Sequence, residues 1–204
     1  MTKIKICGIT KIEDAILAAE LGAWAIGFVF YPKSQRYITP ENAYKISQQI
    51  KKYGTKIIGV FVNESPEDII KIANIVKLDY VQFHGTETLF ECNQLEIPFI
   101  KNIRSLDEIN DYNQAFAFLV DASDTESWGG TGKLANWDLA KEIKAQNKLL
   151  VLSGGLSSDN IEKALAEVNP DFVDISSSLE ISAGVKNHKL MKEFFDKIKE
   201  ILTI

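Results

Sequence analysis

Short apolar segments alternate with amphipathic segments along the whole chain. Eight apolar segments have the length and the β-branched or aromatic content of buried strands. They are Lys3–Cys7, Ala25–Phe30, Lys56–Val62, Tyr80–Phe83, Phe99–Ile103, Phe116–Asp121, Leu149–Ser153 and Phe172–Ser176. Helical patterns lie between them, at Glu13–Leu21, Pro40–Lys51, Pro66–Val76 and Asp159–Glu167, with a last helix from His188 to about Leu202. Thr39 and Ser65 each precede a proline and an acidic residue, which predicts capped helix starts at these two positions.

This regular alternation predicts the α/β class, with a parallel sheet and right-handed crossovers. Eight such units form either an open doubly wound sheet or a closed barrel. Two features favour a closed (β/α)₈ TIM barrel: no GxGxxG turn follows the first predicted strand, and polar residues follow many strands instead of one switch point. No linker rich in Pro, Gly or Ser divides the sequence, so we expect one domain over residues 1–204.

Composition narrows the possible partners. The chain has 204 residues, of which 46% are hydrophobic, and a formal net charge of −5. A mildly acidic chain is a poor ligand for nucleic acid, and no apolar stretch approaches the ~20 residues that span a bilayer. No secretory signal follows the first residues. Two cysteines and two histidines without metal-ligand spacing predict neither a metal site nor a disulfide framework. We therefore expect a cytoplasmic protein that binds neither nucleic acid nor membranes.

Cys7 is the first candidate for chemistry. Side chains alternate along a strand, so an inward Cys7 places Lys5 inward as well. A lone cysteine in an apolar strand is more often structural than catalytic. Lys5, however, would favour the thiolate, which is the basic form of the thiol. A lysine inside a barrel needs a partner, and Asp174 on the eighth strand is the predicted one, because that strand neighbours the first on closure.

Asp121 ends a strongly apolar strand. It could cap the following loop, or it could be a general acid whose pKa is raised by apolar surroundings. The loop after it contains the glycine-rich segment Trp128–Lys133, which is typical of a lid over a substrate and equally of a surface loop.

Two strand-end loops favour phosphate binding. Gly154 and Gly155 follow the seventh strand just before a helix, so backbone N–H groups and the helix dipole could meet an anion there. Ser176 and Ser177 follow the eighth strand. Loops after the seventh and eighth strands form the recurrent phosphate site of TIM barrels. The alternative is two polar turns without a ligand.

Two further residues are candidates for substrate binding. Arg36 lies in the long loop after the second strand, where a planar guanidinium could bind a carboxylate. His84 ends the fourth strand and shares its inward parity with Gln82. For His84, a core histidine with satisfied hydrogen bonds is an equally good interpretation.

The order and spacing of these motifs resemble the phosphoribosylanthranilate isomerase family of tryptophan biosynthesis. The matching segments are residues 5–10, 27–30, 36–38, 59–63, 81–85, 129–132, 153–156 and 174–177, together with Ser34 and Asp121. The resemblance implies an Amadori rearrangement of N-(5-phosphoribosyl)anthranilate to 1-(2-carboxyphenylamino)-1-deoxyribulose 5-phosphate, without a cofactor. It implies Cys7 as general base, Asp121 as general acid and Arg36 as the group that binds the anthranilate carboxylate. The implied substrate-binding set comprises Arg36, His84, Gly132, Gly154, Gly155, Ser176 and Ser177.

The chain departs from the family pattern near the eighth strand. Ser178 and Leu179 replace a usual Gly-Val pair, and Ala183 and Asn187 stand where Pro and Asp are common. A positive φ would strain Ser178. Two other functions stay open: a different sugar-phosphate isomerase or epimerase on the same barrel, and a phosphate-binding module without catalysis. Related barrels of histidine biosynthesis would be expected to carry an aspartate at the position of Cys7. The oligomeric state is either a monomer or a homodimer.

Overall fold

The computed structural model describes residues 1–122 and 135–203, with side chains described as far as residue 201. Within these ranges eight parallel strands form a closed barrel in the order of the chain, and β1 pairs with β8. The strands are β1 Lys3–Cys7, β2 Ala25–Val29, β3 Lys56–Phe61, β4 Tyr80–Phe83, β5 Phe99–Asn102, β6 Ala117–Val120, β7 Leu150–Leu152 and β8 Phe172–Ile175. The predicted (β/α)₈ barrel is confirmed.

β1 and β4 have the predicted bounds, and the other six strands are shorter than predicted, mainly at their C-terminal ends. Asp121, Ser153 and Ser176 were placed inside strands by their sequence pattern, but each lies just beyond one. Ser153 still donates its N–H to the carbonyl of Val120 at 2.9 Å. After such a last hydrogen bond to the neighbouring strand, the backbone leaves the sheet. These polar residues therefore begin the loops at the barrel mouth.

The five helices predicted by position are present, with ends that shift by at most two residues, and α4, α5 and α6 occupy segments for which no bounds were predicted. They are α1 Ile12–Leu21, α2 Pro40–Ile50, α3 Pro66–Val76, α4 Leu89–Cys92, α5 Asp107–Asp111, α6 Trp137–Ala145, α7 Ile161–Val168 and α8 His188–Thr203. Thr39 and Ser65 accept hydrogen bonds from backbone N–H groups in the first turns of α2 and α3, which confirms both predicted caps. None of the described helices has the length and apolarity needed to cross a membrane.

The strands separate two apolar layers, as expected from the alternation of inward and outward side chains along each strand. Ile6, Val81 and Phe83 belong to the layer between strands and helices. Leu119 belongs to the smaller cluster inside the barrel, with Ala25, Ile58, Ile100, Ala117, Val151 and Phe172. Lys5 is fully buried, on the inward parity of β1.

Four aromatic rings close the N-terminal end of the barrel. Trp24 precedes β2, Tyr80 begins β4, Phe116 precedes β6 and Phe172 begins β8. Their ring centroids lie between 4.4 and 5.9 Å apart in four contacting pairs. These rings come from alternate strands, which is the usual source of one layer in a TIM barrel. With this end filled, the opening lies at the C-terminal ends of the strands.

Candidate active site

One cavity at the C-terminal mouth collects most of the predicted site residues. Its lining includes Cys7, Arg36, His84, Asp121, Gly154, Gly155, Ser176 and Ser177. Gly132 and the rest of the Trp128–Lys133 segment lie outside the described residues. Residues that are more than 100 positions apart in the chain thus meet in one place, because every parallel strand ends at the same face of the barrel.

Cys7 points into this cavity beside a glycine. A Cβ atom built on Gly27 of the neighbouring strand would lie 2.8 Å from the Cys7 Sγ and 3.0 Å from the Lys5 Nζ. The absence of a side chain at Gly27 therefore makes room for both groups. Burial raises the pKa of the Cys7 thiol, and the positive charge of Lys5 opposes this shift. The predicted effect of Lys5 thus has the expected direction, but it is smaller than the effect of burial.

Lys5 and Asp174 form the ion pair that the sequence predicts. The two residues are register partners in β1 and β8, and the Lys5 Nζ lies 2.6 Å from the Asp174 Oδ2. Burial alone would lower the pKa of Lys5, but Asp174 and Cys7 outweigh burial and raise it. Lys5 therefore remains a cation inside the barrel, close to Cys7. The Asp174 Oδ1 is buried and has no hydrogen-bond partner among the described residues.

Asp121 lies directly after β6 and lines the same cavity as Cys7. Burial raises the pKa of its carboxyl, and the Ala122 N–H, which donates to Oδ1 at 2.7 Å, partly offsets this effect. A carboxyl group in this environment keeps its proton to higher pH than an exposed aspartate. That is the property that a general acid needs.

The two predicted phosphate loops contact each other. Gly154 and Gly155 have φ angles of 77° and 64°, which residues with a side chain rarely adopt. The Ser178 hydroxyl donates to the carbonyl of Leu156 at 2.6 Å. Ser178 lies in a 3₁₀ turn, Ser177–Leu179, and has no positive φ. The substitution at this family glycine therefore causes no backbone strain and joins the two loops.

His84 is buried beside Gln82. The Nε2 atoms of the two side chains lie 2.6 Å apart. Burial lowers the pKa of His84 to about 3, and the positive charges of Lys5 and Lys101 add to this effect. The ring is thus neutral at physiological pH. Its Nδ1 is buried without a partner in the described part of the chain, and the residue lines the cavity.

Comparison with known proteins decides the family. The model of the family described as N-(5'-phosphoribosyl)anthranilate (PRA) isomerase matches residues 4–197. The chain belongs to this family. A PRA isomerase from Thermotoga petrophila is 42% identical over 98% of this chain and 99% of the relative. One from Trichlorobacter lovleyi is 41% identical over 99% of this chain and its own full length. The two other functions that the motifs left open are thereby set aside.

Solved structures of PRA isomerases have the same fold. The enzyme from Thermus thermophilus superposes with a TM-score of 0.90 at 32% identity, covering 98% of this chain and 100% of that one. The enzyme from Thermotoga maritima gives a TM-score of 0.88 at 39% identity, with the same coverage. A further PRA isomerase structure, at 38% identity and a TM-score of 0.85, is a complex with reduced 1-(o-carboxyphenylamino)-1-deoxyribulose 5-phosphate.

Two largely buried groups of ion-paired side chains were missed in the sequence analysis of this chain. Lys101 and Glu87 form a fully buried pair, with the Lys101 Nζ 2.8 Å from the Glu87 Oε2. The feature of the sequence that could have indicated this pair is a lysine within the otherwise apolar start of strand β5. Glu180 follows β8 in a segment where no sequence pattern singles it out, yet it contacts Arg36 and Lys186 at 2.7 Å and 2.9 Å. Arg36 and Glu180 are 144 positions apart, so no local pattern pairs them.

Proposed function

We propose that the chain carries out its family's isomerisation with Cys7 as general base and Asp121 as general acid. The observation that carries this proposal is the position of both groups in one cavity, which two loops suited to phosphate also line. The substrate is N-(5-phosphoribosyl)anthranilate, and the reaction is an Amadori rearrangement. The aldose-derived sugar becomes a ketose without net oxidation.

Asp121 acts first, on the ribofuranose ring. Its carboxyl group donates a proton to the ring oxygen while the lone pair of the anthranilate nitrogen forms a C=N bond to the first sugar carbon. The bond between that carbon and the ring oxygen breaks, leaving a ring-opened iminium and a carboxylate on Asp121. The raised pKa of Asp121 supports this role, because its proton is retained to higher pH until the substrate binds.

Cys7 then removes the proton from the second sugar carbon. The electrons of that C–H bond move into the iminium, which is the electron sink, and an enolamine forms. Tautomerisation of the enolamine yields the aminoketone product. The base must be the thiolate, and Lys5 favours that form. Burial raises the pKa of Cys7, so the thiolate is the minor form of this group in the free protein.

Binding groups at the two ends of the substrate would hold it across this pair. We assign the phosphate to the backbone of Gly154 and Gly155 and to Ser176 and Ser177. We assign the anthranilate carboxylate to Arg36. His84 contributes a neutral ring nitrogen from the opposite wall, and Gly132 retains the substrate-binding role that its motif implies. The complex of a relative with a reduced product analogue supports binding of this ligand class.

Anthranilate fluorescence tests the assignment, since it is lost as the substrate is consumed. We expect Cys7→Ser and Asp121→Asn each to lower kcat by about 10²–10⁴-fold, the usual contribution of a positioned acid or base. Cys92→Ala and Asp138→Asn are the matched controls, because Cys92 is buried outside the cavity and Asp138 is exposed on α6. Both controls should keep wild-type turnover. Full turnover by either site variant would refute the role of that residue.

A second proposal concerns the domain organisation, the cellular location, the partners and the oligomeric state. We propose that residues 1–204 act as one domain in the cytoplasm, without nucleic acid or membrane as partners, and as a monomer or a homodimer. A PRA isomerase from Thermotoga maritima is described as dimeric, with monomers generated from it. Sedimentation velocity over a range of protein concentrations distinguishes the two states, and cell fractionation checks the location.

A further inference from the structure

Glu180 lies between two cations beside the cavity. Its carboxylate accepts from the Arg36 Nε at 2.9 Å and from the Arg36 Nη2 at 2.7 Å, which is a bidentate fork. Its Oε1 also accepts from the Lys186 Nζ at 2.9 Å. The side chains of Glu180 and Lys186 are 5% and 0% exposed. Burial raises the pKa of Glu180, but Arg36 and Lys186 outweigh burial and lower it, so the carboxylate stays ionised.

The fork uses only one edge of the guanidinium. Arginine carries five N–H donors in a fixed plane. Glu180 takes the Nε donor and one donor of Nη2. The other planar edge, formed by Nη1 and the second Nη2 donor, has no partner among the residues that the structure describes, and it can bind a second carboxylate. Since the guanidinium is rigid, fixing the first edge also fixes the direction of the second.

The backbone around Glu180 fixes this arrangement further. Glu180 begins the short strand β9, Glu180–Ser182, which pairs with β10, Val185–Lys186. In this pairing Lys186 lies opposite Glu180. The Lys186 Nζ also donates to the carbonyl of Ser176 at 3.2 Å, in the loop assigned to phosphate. On the other side, the Arg36 stem passes over Gly8. A Cβ atom built on Gly8 would lie 2.6 Å from the Arg36 Cδ.

We propose that Glu180 is a positioning residue that aims Arg36 at the substrate carboxylate. By this means it sets the preference of the site for a carboxylated N-aryl group over an uncarboxylated one. Lys186 holds Glu180 in place and connects it to the phosphate loop. The inference rests on the proposed role of Arg36 and adds to it a residue that does not touch the substrate.

The test compares two ligands and three variants. The ligands are the product, 1-(2-carboxyphenylamino)-1-deoxyribulose 5-phosphate, and its 1-phenylamino counterpart, which lacks the carboxylate. The variants are Glu180→Gln, Arg36→Met and the double variant, with Glu41→Gln on the exposed start of α2 as the control. Dissociation constants come from titration calorimetry, and kcat and KM from the fluorescence assay.

We expect Glu180→Gln to weaken binding of the carboxylated ligand roughly tenfold, because a charge-assisted contact loses its alignment. Its binding of the uncarboxylated ligand should equal that of wild type, and KM should rise with little change in kcat. In the Arg36→Met background Glu180→Gln should have no further effect on either ligand. Glu41→Gln should behave as wild type.

Three results would overturn the inference. The first is an equal loss of affinity for both ligands in Glu180→Gln. The second is a further loss of affinity when Glu180→Gln is added to Arg36→Met. The third is unchanged affinity in Glu180→Gln when Arg36→Met does weaken binding. Wild-type binding of both ligands by Arg36→Met would instead refute the proposed role of Arg36 itself. If Glu180→Gln does not fold, Glu180→Asp retains the charge beside Lys186 but is too short for the full fork. It should show the same selective loss, and unchanged selectivity would count against the inference.

Discussion

Burial controls the chemistry of single side chains in this site. It raises the pKa values of Cys7 and Asp121 by penalising their charged forms, and it lowers that of His84 by the same penalty on the imidazolium. Lys5 stays charged because the negative charge of Asp174 raises its pKa and offsets the effect of burial. At this scale, Lys5 is the group that opposes the raised pKa of Cys7 most strongly.

Lys5→Met should therefore raise the pKa of Cys7 further. In wild type we expect alkylation of Cys7 by iodoacetamide to increase with pH and to reach half its maximal rate above the ordinary thiol pKa of 9.0. In Lys5→Met the whole profile should move to higher pH, since the thiolate has lost the cation that stabilises it most. Mass spectrometry of the Cys7 peptide measures the rate.

Lys71→Met removes a lysine of an exposed ion pair on α3 and is the control. It should leave the alkylation profile unchanged. A Lys5→Met profile that coincides with wild type would show that Lys5 does not act on the thiol.

At the scale of elements, the loop between β7 and α7 meets the end of β6. Gly154 has a φ of 77°, and a Cβ atom built on it would collide with the backbone N of Ala122 and lie 2.9 Å from the Asp121 Oδ1. Two strand-end loops thus share a space that admits no side chain. The proposed phosphate loop and the proposed acid depend on this single glycine.

Gly154→Ala should impair the site as well as the fold. We expect kcat/KM to fall by at least about tenfold, because small displacements of catalytic groups are costly. Gly22→Ala is the matched control: Gly22 follows α1 with a φ of 98°, and nothing lies within 4 Å of a Cβ atom built there. Both variants should lose roughly 1–3 kcal/mol of unfolding free energy through backbone strain. Urea unfolding and steady-state kinetics separate the two effects, and normal kinetics in Gly154→Ala would contradict the prediction.

At the scale of the whole molecule, the two ends of the barrel have different tasks. The N-terminal end is filled by Trp24, Tyr80, Phe116 and Phe172, and the C-terminal end carries the cavity. The barrel separates them by the length of its strands. Stability and catalysis can therefore be changed independently.

Phe172→Ala should destabilise the protein without changing substrate affinity. Phe172 is 4% exposed, and removing a buried phenyl ring typically costs about 3–5 kcal/mol. We expect this loss in urea unfolding, with KM unchanged wherever the variant remains folded. Ile75→Ala on α3 is the control, because Ile75 is 44% exposed and should lose far less. A changed KM in Phe172→Ala would show that the two ends are coupled.

Local patterns were sufficient for the fold and for most of the site. Strand and helix periods depend only on neighbouring residues, and parallel strands must end on one face, so the meeting of Cys7 with Asp121 followed from topology. The Lys5–Asp174 pair followed as well, because closure makes β1 and β8 neighbours. The fork between Arg36 and Glu180 did not follow, since it joins two segments outside the barrel strands, and the register of the barrel does not bring them together.

The sequence by itself determined the alternation of strands and helices, the inward parity of the polar residues and the family. Each of these depends on spacing along the chain or on motifs read in order. Only the tertiary structure decided which charges are buried, how far burial outweighs Lys5 at Cys7, and which groups hold Arg36. Those outcomes depend on desolvation and on distances between loops, and both exist only once the barrel has closed.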